Sequence, residues 1–269
     1  MKDILVTGAF GGMGRSAVDA LISHGYRVFA LDKNISAAIN NGVHETNIIP
    51  IAADITSEES VTDAFRQVSA YTDRLFAIVH FAGIYMLDSL VEMDSGSFRK
   101  IFDVNVLGAF LVNRTFLPLL SKGSRILITT SELAPLDPLP FTGIYAVTKS
   151  ALDKYAYSLR MELQLLGISV CVLRAGAVDT GMLGVSTDAL ERFCGSTKLY
   201  TCNADRFKTI VNRVEARCIS PAKLADKAVG ILRKKNPSFA YSINRNPLLL
   251  LMGILPKKLQ LWAIRMILK

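Results

Sequence analysis

Asp3-Ile4-Leu5-Val6-Thr7-Gly8-Ala9-Phe10-Gly11-Gly12-Met13-Gly14 decides how the rest of the chain is read. Asp3 to Thr7 is a short, largely apolar and partly β-branched run suited to a buried parallel strand, and Gly8 follows it as a turn residue. Gly12 and Gly14 then open a helical pattern through Ala17, Val18, Ala20, Leu21 and Ile22. Glycines let a backbone approach a pyrophosphate closely, and a helix N-terminus adds free N–H groups and a favourable dipole. Thr7, Gly8, Phe10, Gly12, Met13 and Gly14 are therefore the candidate contacts to a dinucleotide. A plain tight turn would use the same glycines, so support must come from the rest of the chain.

A second apolar run, Arg27-Val28-Phe29-Ala30-Leu31, supplies it by ending at Asp32, 18 positions beyond Gly14. An acidic residue about 20 positions after the glycines binds the adenosine ribose hydroxyls. A carboxylate there favours NAD(H), because it repels the ribose phosphate of NADP(H), and the Gly8 to Gly14 turn holds no Lys or Arg. Lys33 and Arg15 flank the site and leave NADP(H) open, and a solvated strand end is the plainer reading of Asp32. Further strand-like runs at Leu75–Phe81, Ser124–Thr129 and Ile168–Leu173 alternate with amphipathic helix-length stretches. That alternation predicts an α/β fold: one Rossmann-like, doubly wound parallel sheet with helices on both faces and ligands beyond the carboxyl ends of its strands. A chain of 269 residues, 51% of them hydrophobic, can bury the core of one such domain.

Tyr145 and Lys149 are four residues apart, so on a helix they share a face. An ammonium near the phenol is expected to pull the Tyr145 pKa below its usual value of about 10, giving a proton donor or acceptor usable near neutral pH. Cys171, Cys194, Cys202 and Cys218 show no Cys-x-x-Cys spacing and read as reduced structural thiols. His24, His44 and His80 are scattered, and no metal is expected. His80 stands either packed at a strand end, the commoner case, or at the edge of the nucleotide pocket.

The series Thr7 to Gly14, Asp54, Ala82-Gly83, Asn105, Ser131, Tyr145 with Lys149, and Gly176 to Thr180 resembles, in order, the motifs of the short-chain dehydrogenase/reductase (SDR) family over roughly residues 3 to 245. The resemblance implies that Asp54 and Ile55 line an adenine pocket and that Ala82 and Gly83 let the cofactor approach. It also implies that Gly176, Val178 and Thr180 lie at the nicotinamide carboxamide. Asn105 would hold a water in a proton relay, Ser131 would bond the substrate oxygen, and Tyr145 and Lys149 would move the proton and contact the cofactor. Plainer roles stay open: Asp54 as a cap of the helix starting near Ser57, and Asn105 bonding only backbone within a helix from Ser97 to Leu120. Thr130 competes with Ser131. The chain departs from the family at His80-Phe81-Ala82-Gly83, where Asn-Asn-Ala-Gly is usual, and at Arg174-Ala175-Gly176, where Arg-Pro-Gly is common. Ser131 precedes Tyr145 by fourteen residues, one more than is typical, and the proline-rich loop Pro135 to Pro140 can absorb the difference.

By the same resemblance the chain is expected to be an NAD(H)-dependent oxidoreductase that interconverts a secondary alcohol and a ketone, assembled as a homodimer or homotetramer. Met182, Leu183, Gly184, Val185, Leu190, Phe193 and Leu199 fall where the family has its substrate lid. With Leu87, Leu136, Leu139 and Phe141 they favour a lipophilic steroid-, retinoid- or acyl-like substrate. Rival readings are an NADPH-dependent 3-ketoacyl carrier-protein reductase and a non-catalytic nucleotide sensor. The formal net charge of +8 is concentrated in the C-terminal part: Thr201 to Lys269 carries 14 Lys or Arg against 3 Asp or Glu. There, residues 246–269 form an extension distinct from the catalytic domain of residues 1–245. The apolar run Leu248–Leu255 is followed by Pro256-Lys257-Lys258 and by an amphipathic pattern with Leu259, Trp262, Ala263, Met266 and Ile267 on one face. The run is far shorter than the ~20 residues of a membrane span. The extension is expected to cover the substrate pocket or a subunit contact, with peripheral contact to a membrane surface as the alternative. Nucleic acid is not an expected partner, since no base-stacking aromatic series accompanies the basic residues. The chain begins directly at its first strand, which suggests a cytoplasmic enzyme.

Overall fold

A computed structural model describes residues 1–35, 47–214 and 218–269, without the side chains of 181–187 and 212–214. His44 lies outside the described residues, as do Met182, Leu183, Gly184 and Val185 beyond their helical backbone. Seven strands, β1 (Lys2–Thr7), β2 (Tyr26–Asp32), β3 (Ile48–Ala52), β4 (Ala77–His80), β5 (Arg125–Ser131), β6 (Ser169–Ala175) and β7 (Ala240–Ile243), form one sheet in the order β3-β2-β1-β4-β5-β6-β7. Every pairing is parallel. Strand order reverses between β1 and β4, the point where a doubly wound sheet opens a crevice beyond its carboxyl ends.

Both faces of the sheet are covered, which is why its strands read as continuous apolar runs rather than alternating ones. Leu5, Phe29, Ile78 and Ile126 pack on one side, and Ile4, Val28, Val79 and Leu127 on the other. The first side is filled by α2 (Glu58–Ser69), α4 (Gly108–Phe116) and α5 (Gly143–Leu163), and the second by α1 (Gly12–Ser23) and α8 (Pro221–Leu232). Ser57 caps α2, its Oγ accepting from Ser60 N–H at 3.2 Å. Asp54 is not that cap: its Oδ1 accepts from the N–H and the hydroxyl of Thr56 at 3.0 and 2.7 Å.

The continuous helix expected from Ser97 to Leu120 is broken. It starts as α3 (Ser95–Phe102), widens into a π-helical turn at Asp103–Leu107, resumes as α4, and ends in a 3₁₀ turn at Leu117–Leu119. An i→i+5 turn inserts one residue and re-aims the side chains around it, and such turns recur at functional sites. Asn105 lies inside it. After α6 (Gly181–Ser196), α7 (Thr201–Val214) and α8, the chain closes with α9 (Pro247–Ile254) and α10 (Lys257–Leu268). Among the described residues no helix is long and apolar enough to cross a membrane.

Candidate active site

Backbone geometry builds a side-chain-free cradle at the end of β1. Gly8 has φ 67°, in the left-handed region that favours glycine. A Cβ there would stand 2.5 Å from Ala82 N, one at Gly12 2.7 Å from Thr180 Cβ, and one at Gly14 1.9 Å from Gly8 O. A Cβ at Gly83 would be less crowded, 3.2 Å from Asn105 Oδ1 and 3.3 Å from Lys149 Nζ. Such a cradle, opening on the N-terminus of α1, fits a dinucleotide pyrophosphate. Thr7 is fully buried, its Oγ1 lying 3.3 Å from His80 Nδ1. At the end of β2, Asp32 accepts the N–H of Phe10 at 3.0 Å and that of Asn34 at 3.1 Å, so the acidic residue and the glycine turn form one unit. Both flanking cations are held by carboxylates: Lys33 by Asp54 at 2.6 Å and Arg15 by Asp19 at 3.1 Å. Lys33 and hydrogen bonds from Thr56 lower the Asp54 pKa to about 2.

The end of β5 and the first turns of α5 bring Ser131, Tyr145 and Lys149 together. Tyr145 is hydrogen-bonded to Ser131, whose Oγ also accepts Leu133 N–H at 3.2 Å. Thr130 is occupied elsewhere, donating to Asp153 at 3.2 Å, and the same carboxylate pairs with Arg174 at 2.7 Å. Lys149 Nζ lies 5.7 Å from the centre of the Tyr145 ring and 3.4 Å from the Thr129 carbonyl oxygen, to which it donates. Burial pushes the Tyr145 pKa up to about 12, with the Ser131 hydrogen bond opposing it, and pushes Lys149 down to about 8. This reverses the direction expected for Tyr145. Desolvation outweighs the neighbouring cation, which sits over the ring rather than at the oxygen.

Asn105 is buried and spends its amide on the chain: Oδ1 accepts Ile84 N–H at 2.8 Å, and Nδ2 donates to Ile84 O at 3.0 Å and Thr148 Oγ1 at 3.1 Å. It therefore fixes the strand-end loop containing Gly83 against α5. His80 is the packed strand-end residue. Its Nε2 lies 2.9 Å from Asn113 Oδ1, and burial drives its pKa down to about 4. The contacts that the family's asparagine would make to neighbouring elements are supplied here by an imidazole. Gly176 packs with no room for a side chain, a Cβ there lying 1.9 Å from Asn244 O.

A cavity of about 650 Å³ collects Met13, Gly83, Ser131, Tyr145, Lys149, Gly176, Val178 and Thr180 on its inner wall. Thr7, Gly8, Phe10, Gly12, Gly14, Asp32, Asp54, Ile55, Ala82 and Asn105 are not part of its lining. Ile55 is a core residue against α4, where a Cβ at Gly108 would meet its Cδ1 at 2.6 Å. The apolar wall also differs from the expected one. Leu87, Leu190 and Phe193 are buried in a separate cluster against the partly buried Phe141, whose ring lies tilted 4.5 Å from that of Phe193, and Leu199 is exposed. Leu136 borders a small neighbouring hollow instead. Of the expected lid and loop residues with described side chains only Leu139 lines the cavity, joined by Phe207, Ile210 and Val211 of α7 and, from the apolar C-terminal run, by Leu248, Leu249, Leu251 and Met252 of α9. Glu132, Asn244 and Arg245 were also missed. The half-buried Glu132 accepts Asn246 N–H at 2.6 Å, and burial raises its pKa. Adjacency to Ser131 was the one sequence signal available for it.

Comparison with known proteins agrees with this geometry. A family model described as short chain dehydrogenase matches residues 2–191. Estradiol 17-beta-dehydrogenase 2 of Mus musculus is 34% identical over 189 residues, 68% of this chain and 50% of that protein, so the match spans about half of that relative's length. A probable short-chain type dehydrogenase/reductase of Helicobacter pylori is 25% identical over 257 residues, 94% of this chain and 92% of that one. The crystal structure of 3-ketoacyl-(acyl-carrier-protein) reductase from Brucella melitensis complexed with NADH shares the fold, with a TM-score of 0.73 at 20% identity over 90% of this chain and 96% of that one. The chain belongs to the short-chain dehydrogenase family.

Proposed function

We propose that this protein interconverts a lipophilic secondary alcohol and its ketone with NAD(H), using Tyr145 as the proton-transfer group. The observation that carries the reading is a half-buried phenol, bonded to Ser131 and beside Lys149, on the wall of a largely apolar cavity that also reaches Met13 of the glycine turn and Gly83. Gly8, Gly12, Gly14 and Gly83 would hold the dinucleotide, with Asp32 at its ribose and Val178 and Thr180 toward the nicotinamide. When bound, the nicotinamide supplies or receives the hydride. Preference for NAD(H) is supported by the carboxylate of Asp32 and by the pairing of both nearby cations, Lys33 and Arg15, with acids.

Tyr145, with a pKa of about 12, holds its proton at neutral pH and is set to give it to the oxygen of a ketone undergoing reduction. The Ser131 hydroxyl orients that oxygen and relieves part of the cost of a phenolate. Lys149, at about 8, keeps most of its charge at pH 7 and stabilises the phenolate as the proton leaves. Asn105 keeps the site in shape by fixing the loop after β4 against α5. Leu248, Leu249, Leu251 and Met252 of α9, with Ile264, Ile267 and Leu268 of α10, act as the roof of the substrate cavity, and the apolar walls exclude water and select lipophilic compounds.

Tyr145→Phe tests the reading. Turnover should fall at least ~100-fold, the scale of a general acid, while the cofactor dissociation constant stays within a factor of a few. Unchanged turnover removes Tyr145 from the chemistry. A panel of lipophilic ketones and alcohols, each with NAD(H) and NADP(H), separates the rivals. A ketoacyl reductase would prefer NADPH and respond to carrier protein, and a sensor would bind nucleotide without turning over any alcohol.

A further inference from the structure

We infer that α9 and α10 dock the protein on an anionic lipid surface, with the mouth of the substrate cavity opening onto the bilayer. On α9, Leu248, Leu251 and Ile254 are 61%, 58% and 81% exposed. On α10, Leu261, Trp262 and Met266 are 68%, 62% and 62% exposed. Large apolar side chains turned outward on two consecutive helices form a patch that water does not favour.

The rotation of α10 is fixed from its other side. Gln260 is buried and donates to Asp137 Oδ2 and Leu255 O, both at 2.9 Å, and the Leu268 carbonyl oxygen accepts from Asn203 on α7 at 2.6 Å. A polar residue thus faces the protein while Trp262 faces away. Burial within this chain does not explain that choice.

Charge selects the occupant. Residues 246–269 contain Lys257, Lys258, Arg265 and Lys269 and no acidic residue. Cations interleaved with Leu, Trp and Met are the pattern of an interfacial helix on anionic lipid, whereas the centres of protein–protein interfaces are depleted of lysine. Leu248, Leu251 and Ile267 line the cavity while more than half exposed, so the patch and the cavity rim are one surface. Docking there would let a lipophilic substrate pass from bilayer to cavity without crossing water. That last step rests on the proposed activity; the docking does not.

Trp262 is the chain's one tryptophan, so emission of this chain excited selectively at tryptophan reports this helix alone. Phosphatidylcholine vesicles containing phosphatidylglycerol should shift the emission to shorter wavelength and shield it from iodide, and pure phosphatidylcholine should do so far less. Lys258→Gln with Lys269→Gln should weaken partitioning roughly 30-fold, from about 1 kcal/mol for each charge at an anionic surface. Leu259→Glu with Met266→Glu should abolish partitioning yet keep turnover of a water-soluble alcohol, since neither residue lines the cavity. Tyr145→Phe should partition like the parent, which separates a failure of docking from a failure of the catalytic reading. The inference is overturned by emission that ignores both vesicles, or by equal binding to neutral ones. A lipid-independent shift with doubling of mass overturns it too, by assigning the face to a second copy of this chain.

Discussion

A single methyl group has no room at the turn after β1, where a Cβ on Gly14 would lie 1.9 Å from the Gly8 carbonyl oxygen. Across the same sheet edge Leu248 and Leu251 line the cavity while more than half exposed, with space around them. At Gly8 and Gly14 the cradle is defined by backbone meeting backbone, and its tolerance there is a fraction of an ångström. The roof is defined by side chains on two short helices held by a few bonds, among them Asn246 N–H to Glu132, Gln260 to Asp137 and an ion pair between Lys257 and Asp137. One part of the molecule is thus suited to a fixed ligand and the other to a variable one, the division of labour by which one fold serves many substrates.

The largest test of that contrast is Gly14→Ala. The added carbon must displace the Gly8 carbonyl, so the turn should lose ~3 kcal/mol or more, and cofactor affinity should drop on the order of 100-fold by NADH fluorescence titration. Affinity within a factor of three of the parent would mean that the cradle is as forgiving as the roof.

A second test concerns the rigidity beneath the cradle. His80 ties β4 to Asn113 of α4 and lies beside Thr7 at the end of β1. Its folded pKa of about 4 lies below the usual 6.5. Between these values the unfolded chain binds a proton that the folded chain refuses, so stability should fall as pH drops from 6.5 to 4 and level off below that. The loss amounts to about 3 kcal/mol over the window. His80→Asn, the residue more usual in the family, should flatten this arm in denaturant melts across pH. An unchanged slope would place the acid sensitivity elsewhere.

The same contrast explains what could be read from the sequence. Gly8, Gly12, Gly14 and Asp32 were legible because backbone approach and strand-end position are local properties that residue type reports directly. Tyr145 and Lys149 were legible as a pair, because helical spacing brings them together. The sign of the Tyr145 shift was not, because desolvation depends on walls contributed by distant segments. The π-turn at Asp103–Leu107 has no signature in the apolar pattern, and the partners it gives Asn105, Ile84 and Thr148, come from distant segments. Expected lid residues Leu190 and Phe193 turned out to support Phe141 rather than face the cavity, and Phe207, Ile210 and Val211 of the next helix took that position. Apolar character foretold burial; which apolar surface would meet which was a tertiary outcome. For α10 helical spacing groups apolar side chains on a face without saying where it turns; Gln260 takes partners at Asp137 and Leu255 that no local rule anticipates, and Leu261, Trp262 and Met266 stand exposed.

The smallest expected effect belongs to the roof. Leu249 lines both the cavity and the small hollow beside it, so Leu249→Ala enlarges space that is already continuous and open at the rim. The surrounding side chains can relax into it, and the cost should be the lost apolar contact with substrate rather than a collapsed site. That contact is made in the ground state and the transition state alike, so KM for a lipophilic ketone should rise about 5- to 10-fold while kcat stays nearly constant. A short-chain ketone that cannot reach α9 should show no change in either parameter. A fall in kcat with the short substrate would mean that α9 holds Ser131 and Tyr145 in place through Glu132. The roof would then belong with the cradle, as a part whose geometry the chemistry cannot spare.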